Sequence, residues 1–240
     1  ITGGAGFIGS NLTRYLINKG HKICVVDDLS AGKKSNLLGL DVDFIEGKIE
    51  EIDIKNINGI DFIIHLAAQA SVPLSIENFY ESSSKNLLSS IKVFEIARKY
   101  KIPVIYASSS AVYGNLPIGN DISNNFDLLS PYALDKLTLE SYAKLCNQLY
   151  SIPSIGFRFF NVYGPLQDYE NPYSGVISLF ISRVVKGKEI EVYGGDQTRD
   201  FIHVKDVCEI IEIAIEKILK NKLPDSEVLN LGTGKSISVM

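Results

Sequence analysis

Tyr132 and Lys136 stand four positions apart in Ser130-Pro131-Tyr132-Ala133-Leu134-Asp135-Lys136. Ser130 suits a helix N-cap and Pro131 the first helical position, where its missing N–H costs nothing. That puts the phenol and the amine on one face near the start of a helix, roughly 6 Å apart along its axis. A phenol with a pKa of about 10 is a poor base near neutral pH. An ammonium about 5 Å away, at an effective dielectric of about 20, favours the phenolate by roughly 3 kcal/mol. This is on the order of two pKa units, enough to move Tyr132 toward general-base strength. Tyr-x-x-x-Lys alone more often marks a snorkelling lysine beside a half-buried tyrosine. Its weight comes from two other groups of residues.

Ser108-Ser109-Ser110-Ala111-Val112-Tyr113-Gly114 follows the apolar run 103–107. If that run is a strand of an open α/β sheet, these hydroxyls lie at the carboxyl edge, where ligands bind. Gly3, Gly6 and Gly9 are three apart, directly before a helical pattern. Glycines there let backbone N–H groups approach a pyrophosphate at a helix N-terminus. Asp27 ends the next apolar run, where a carboxylate accepts from an adenosine ribose and repels a 2′-phosphate. This favours NAD over NADP. Lys33 and Lys34 are the counterweight, and are read as solvated.

The elements that must hold these groups alternate. Strands are expected at Ile23 to Val26, Val42 to Ile45, Asp61 to His65, Pro103 to Ala107, Ser154 to Phe160 and Val228 to Leu231. Helices are expected from the glycine turn to Gly20, from about Ile76 to Tyr100, from Pro131 to Tyr150, Val176 to Lys186 and Val204 to Lys220. The fold class is α/β, a doubly wound parallel Rossmann sheet with a smaller substrate-binding lobe. Residues 1–160 read as the dinucleotide-binding domain and 161–203 as the lobe, with a short strand around Ile190 to Tyr193. Residues 204–232 read as a helix and strand returning to the sheet. Both ends look cut, and 233–240 read as the start of a truncated substrate segment.

The 240 residues are 45% apolar and carry a net charge of −4, with no basic run pointing to nucleic acid. No apolar run is long enough to span a bilayer. Cys24, Cys146 and Cys208 are scattered without metal spacing and read as buried, reduced thiols of a cytoplasmic protein. No metal is assigned, and His65 reads as a packed core histidine. The helices around 76–100 and 131–150 are apolar over more than the roughly 100° needed to sit on a sheet, through Leu87, Leu88, Ile91, Val93 and Phe94 in the first and Leu134, Leu139, Tyr142, Leu145, Cys146 and Leu149 in the second, a pattern that suits either deep burial under the lobe or a subunit interface.

Taken together, Thr2-Gly3-Gly4-Ala5-Gly6-Phe7-Ile8-Gly9, Val26-Asp27-Asp28-Leu29-Ser30, His65-Leu66-Ala67-Ala68, Tyr106 to Gly114, Tyr132 to Lys136, Arg158-Phe159-Phe160-Asn161-Val162-Tyr163-Gly164-Pro165 and Thr198-Arg199-Asp200-Phe201-Ile202-His203-Val204 resemble the extended short-chain dehydrogenase/reductase family. Within it, the chain is most similar to UDP-glucose and UDP-N-acetylglucosamine 4-epimerases. The resemblance implies Ser109, Tyr132 and Lys136 as the catalytic set, with NAD as cofactor. Its cofactor contacts fall on Gly3, Gly6, Phe7, Ile8, Gly9, Asp27, Asp28, Ser30 and Gly32. Further along they fall on Ile49, Leu66, Ala67, Ala68, Asn86, Ala107, Ser108, Tyr132, Lys136, Phe159 and Val162. At Gly47-Lys48-Ile49 the family commonly has Gly-Asp-Ile, so a side-chain acceptor for the adenine amino group is missing here. UDP-sugar contacts fall on Ser71, Ser109, Ser110, Tyr132, Asn161, Gly175, Val176, Val192, Tyr193 and Arg199. The resemblance also implies a homodimer through the two apolar helices. The competing readings are a nucleotide-sugar 4,6-dehydratase or a UDP-glucuronate decarboxylase, which place acids where this chain has Ser110 and Ala111. A more distant one is a non-catalytic NAD-binding regulator, which needs no general base.

Overall fold

The apolar runs become strands in the computed structural model, which describes residues 1–52, 59–117, 119–171, 174–190, 192, 197–220 and 226–239. The strands are β1 (Cys24–Asp27), β2 (Asp43–Glu46), β3 (Ile63–His65), β4 (Val104–Ser109) and β5 (Ser154–Phe159), followed by β6 (Asn161–Tyr163), β7 (Thr198–Arg199), β8 (Phe201–His203), β9 (Ser226–Leu231) and β10 (Ile237–Ser238). β1 pairs with β2, and β3-β4-β5-β9 form a four-stranded sheet, every pair parallel. Thr2 joins the two parts, because it bridges Val26 on one side and His65 on the other. The glycine turn therefore leaves the sheet at its centre, between β1 and β3.

The helices are α1 (Phe7–Asn18), α2 (Val72–Glu77), α3 (Phe79–Tyr100), α4 (Pro131–Tyr150), α5 (Val176–Val185) and α6 (Val204–Leu219). Parallel strands buried on both faces send alternate side chains to opposite layers. Ile105 and Ile155 pack with Leu12 and Leu16 of α1 and Ile211 and Ile215 of α6. Val104 and Tyr106 pack with Val93, Phe94 and Ala97 of α3 and Leu139 and Ala143 of α4. The sheet is thus doubly wound, with the reactive helix α4 on the same face as α3.

α4 begins as its sequence requires. Ser130 Oγ accepts from the Ala133 amide at 3.2 Å and Pro131 takes the first position. The helix expected over Ile76 to Tyr100 is instead two helices. Ser71 caps α2 through the Leu74 amide at 3.2 Å, Pro73 sits in its first turn, and Asn78 breaks the run with φ −125° and ψ 59°. The strand expected at Ile190 to Tyr193 is absent at residues 190 and 192, and residues 191 and 193 lie outside the described residues. Two small pairings were not anticipated. β6 runs parallel to β8, and β7 antiparallel to β10.

Candidate active site

A cleft of about 1700 Å³ opens along the carboxyl edge of the sheet. This exceeds the ~300–1,000 Å³ typical of a single small-molecule site, so two ligands fit side by side. Gly3, Gly6, Phe7, Ile8 and Gly9 line one end. The first N–H groups of α1 have no carbonyl within the helix and favour an anion. A Cβ at Gly9 would lie 2.1 Å from the Gly3 carbonyl oxygen, and Gly3 has φ +70° with the Ala67 backbone within 3 Å of its would-be Cβ. The turn thus closes only with glycine at both positions. Gly6, which caps α1, leaves the cleft side open, since a Cβ there would meet nothing nearer than the Gly3 oxygen at 3.3 Å.

Asp27 is buried, and its carboxylate accepts from the Ala5 amide at 2.8 Å and the Leu29 amide at 2.9 Å. Each oxygen keeps a lone pair for a ribose hydroxyl, while the carboxylate itself holds the glycine turn. Gly32 packs on the same group, its would-be Cβ 3.0 Å from Asp27 Oδ1. Asp28 accepts from the Ser30 amide at 3.0 Å and the Ser30 hydroxyl at 2.6 Å, which holds its carboxyl below the usual range against the opposing effect of burial. Both lysines of the counterweight are exposed, as expected, and each has a partner at the surface. Lys33 Nζ lies 2.8 Å from Asp168, and Lys34 lies 3.9 Å from Glu46 and 4.8 Å from the Phe44 ring centre.

Leu66, Ala68, Ala107, Phe159 and Val162 line the cleft. Three of the expected cofactor residues hold its wall from behind. The Ala67 amide donates to Thr2 Oγ1 at 3.3 Å. The Asn86 side chain accepts from the Gln69 amide at 2.8 Å and donates to the Gln69 carbonyl at 3.2 Å and to Asp135 at 3.0 Å. Ile49 puts its side chain into the core with Val26, Ile63 and Val93. His65 is buried, bonded to Thr2 Oγ1 at 2.8 Å and Ser90 Oγ at 3.2 Å. Burial pushes its pKa down to about 3, so it is neutral and structural. Among the described residues, no group of three metal-ligating side chains gathers, the cysteines are free, and no helix is long and apolar enough to cross a membrane.

Ser109, Tyr132 and Lys136 meet in the middle of the cleft. Tyr132 and Lys136 are both buried, and Lys136 Nζ donates to the Ala107 carbonyl at 2.7 Å and lies 5.7 Å from the Tyr132 ring centre. Burial lowers the Lys136 pKa to about 8, against the opposing charges of Asp135 and Glu140. The electrostatics of Tyr132 differ from expectation. Burial raises its pKa, opposed by the neighbouring Ser109 hydroxyl and reinforced by the Asp135 charge. The attraction of the neighbouring cation is offset by the desolvation of a buried phenol. Ser109 Oγ accepts from the Ala111 amide at 3.1 Å, which leaves its proton free to donate into the cleft.

Ser108, expected among the cofactor contacts, lines the cleft, with its hydroxyl bonded to Glu140, one helical turn past Lys136. Arg158 of β5 grips the same carboxylate at 2.9 and 2.7 Å, and its third nitrogen donates to Tyr113 at 2.8 Å. Nothing in the sequence reading singled out Glu140, since one acid on a helix carries no signal until its partner on another strand is known.

Ser110, Asn161, Gly175 and Arg199 line the far end of the cleft. Asn161 Nδ2 donates to the Asp200 carbonyl at 3.1 Å. The Asp200 carboxylate is taken by Thr233 and Gly234, so it does not pair with Arg199, whose bond is to the Thr198 carbonyl at 2.8 Å. Lys235 also lines the cleft, a cation that the sequence had not pointed to. Ser71, Val176 and Val192 do not line the cleft. Ser71 is committed to its cap, and Tyr193 lies outside the described residues.

The family model described as NAD dependent epimerase/dehydratase matches residues 1–232. A putative UDP-glucose 4-epimerase of Methanocaldococcus jannaschii is 39% identical, over all of this chain and 78% of that protein. A UDP-N-acetyl-alpha-D-glucosaminuronate decarboxylase of Bacillus cytotoxicus is 34% identical, over all of this chain and 76% of that protein. Among solved structures, a UDP-N-acetylglucosamine 4-epimerase from Methanobrevibacter ruminantium M1, in complex with UDP-N-acetylmuramic acid, superposes with a TM-score of 0.90 at 36% identity, covering 99% of this chain and 77% of that one. Sequence likeness that runs from the glycine turn to the last strand of the sheet, on a shared fold, means that this chain belongs to the NAD-dependent epimerase/dehydratase family, with NAD as its cofactor.

Proposed function

We propose that the protein inverts C4 of a UDP-hexose, UDP-glucose and UDP-galactose or their N-acetyl forms, through a transient 4-keto sugar. The observation that carries this reading is the meeting of Ser109, Tyr132 and Lys136 in one cleft, flanked by Ser110 and Ala111, where a dehydratase or a uronate decarboxylase would need an acid. The α1 N-terminus, Asp27 and the wall at Leu66 and Ala68 would hold NAD, which when bound would supply a reversible hydride acceptor for the sugar C4. Tyr132 takes the proton of the 4-hydroxyl as that oxygen becomes a carbonyl, and gives it back in the reverse step. Ser109 donates to the same oxygen. Lys136, anchored on the Ala107 carbonyl, supplies positive charge beside the phenolate. Arg199, with Asn161 nearby, suits the diphosphate, since a guanidinium fork matches phosphate geometry. The test is incubation with UDP-glucose and with UDP-N-acetylglucosamine, followed by separation of the C4 epimers.

Two contacts cross the mouth of the cleft. Lys33 meets Asp168 at 2.8 Å, and Asn11 donates to the Pro165 carbonyl at 2.8 Å. They tie the loop around 164–168 over the end of the cleft assigned to NAD. A half-exposed ion pair contributes modestly and is screened by salt. Asp168→Asn is therefore expected to release NAD about two- to fivefold faster at low salt, with the difference fading at high salt. Exchange of bound NAD against labelled NAD measures it.

Leu88 and Ile91 of α3 and Leu134, Leu145 and Leu149 of α4 are exposed on adjacent helices. This patch supports the homodimer reading, in which two helices from each subunit form a bundle. Sedimentation equilibrium is expected to give twice the 26.5 kDa of the chain, and Leu145→Glu to shift the mass toward the monomer.

A further inference from the structure

Tyr132, Lys136 and Glu140 follow one another at single-turn spacing on the face of α4 that meets the end of β4. Two of these side chains are tied to successive residues of that strand. Lys136 holds the Ala107 carbonyl, and Glu140 accepts from the Ser108 hydroxyl. The residue after Ser108 is Ser109, which lines the same cleft as Tyr132 and Lys136. Glu140 is itself fixed, because both of its oxygens accept from Arg158 on the neighbouring strand. Arg158 lies between the Tyr113 and Phe126 rings, 5.2 and 5.0 Å from their centres, and Tyr113 passes the network on to Asn230 of β9 at 2.6 Å. Ser108, Glu140 and Arg158 are all buried, and none of the chemistry assigned above uses the last two.

We propose that Ser108, Glu140 and Arg158 are positioning residues that fix the register of the reactive face of α4 against the end of β4, and thereby hold the Ser109 hydroxyl beside the Tyr132 phenol. The inference rests on the reading of Tyr132 as the base. A shift of α4 along β4 by a fraction of an ångström would move the Tyr132 phenol relative to Ser109 while leaving the cofactor and diphosphate ends of the cleft in place. The network, anchored to β4, β5 and β9 at once, adds to the Lys136–Ala107 tie in resisting such a shift. The ionisable groups around the phenol and its lysine are Asp135 and Glu140 on α4 and His65 at the end of β3. Removing the Ser108 hydroxyl alters none of their charges.

Ser108→Ala keeps the Glu140–Arg158 pair and so keeps the fold. In the NAD-bound protein it is expected to lower kcat about tenfold, with KM for the UDP-sugar within about twofold and NAD content unchanged. The Tyr132 phenol, followed by NMR of ¹³C-labelled tyrosine and assigned by its loss in Tyr132→Phe, is expected to titrate about half a unit to one unit higher than in the parent. That titration needs no turnover, so it decides the inference even if neither UDP-sugar is epimerised, a result that would instead end the functional reading. Ser108→Ala combined with Glu140→Gln is expected to lower kcat less than the product of the two single effects. An unmoved phenol titration with unchanged kcat, or single effects that multiply, overturns the proposal.

Discussion

Tyr132→Phe is expected to lower kcat by about 10²- to 10⁴-fold, the range of general acid–base catalysis, while the protein keeps its bound NAD and its unfolding temperature. The ring is buried beside Ser75 of α2, whose hydroxyl takes the Tyr132 backbone amide at 3.3 Å, and the phenyl variant fills the same space. The phenol oxygen alone is lost. The parent and variant should also differ in pH dependence. Burial raises the phenol pKa, and the base works only when deprotonated, so parent kcat should climb as pH rises through the phenol ionisation of the holoenzyme. The residual rate of the variant should lack that limb. Steady-state kinetics from neutral to alkaline pH checks both. Equal rates in parent and variant would remove Tyr132 from the chemistry.

Arg158→Leu is expected to be the most damaging single change to the fold. Glu140 would remain buried with its charge unpaired, and breaking a buried pair from one side costs about 3–5 kcal/mol. For a chain of this size that lowers the thermal midpoint by roughly 6–20 °C. Replacing both partners with leucine should recover much of the loss, because no charge is then left in the interior. Calorimetry of the two single variants and the double reads this directly. A double variant as unstable as the sum of the singles would show that Glu140 and Arg158 are not coupled, against this account.

Local rules are what made most of the fold legible. α4 could be placed to the residue because Ser130-Pro131 starts a helix by two independent effects. The strands of the sheet could be placed because parallel strands buried on both faces are continuous apolar runs. The break at Asn78 was missed because the residues on either side share the helical pattern, and only the cap at Ser71 with Pro73 shows that two helices meet there. β6, β7, β8 and β10 were missed because two- and three-residue strands take their pairing from partners far along the chain.

The same division holds at the site. Gly3, Gly9 and the Tyr132–Lys136 pair announce themselves by spacing, and the structure brings them to one cleft. The hydroxyls did not announce their roles. Ser71, Ser108, Ser109 and Ser110 are alike on paper, yet one caps α2 and three line the cleft, one of these with its hydroxyl turned away to Glu140. Which serine does which depends on the direction each side chain leaves its element, and that is set by packing. The phenol pKa was misjudged for a related reason, since the sequence shows a neighbouring charge but not the depth of burial.

The central claim is that hydride leaves C4 of a UDP-hexose and comes back to the opposite face of the same carbon. The most direct measurement is to incubate the protein with UDP-glucose and UDP-N-acetylglucosamine carrying deuterium at C4, and to examine the products by NMR and mass spectrometry. The account predicts the C4 epimer of at least one of them with its deuterium retained at C4. Loss of the label to solvent, loss of water or carbon dioxide from the sugar, or no inversion of either would contradict it.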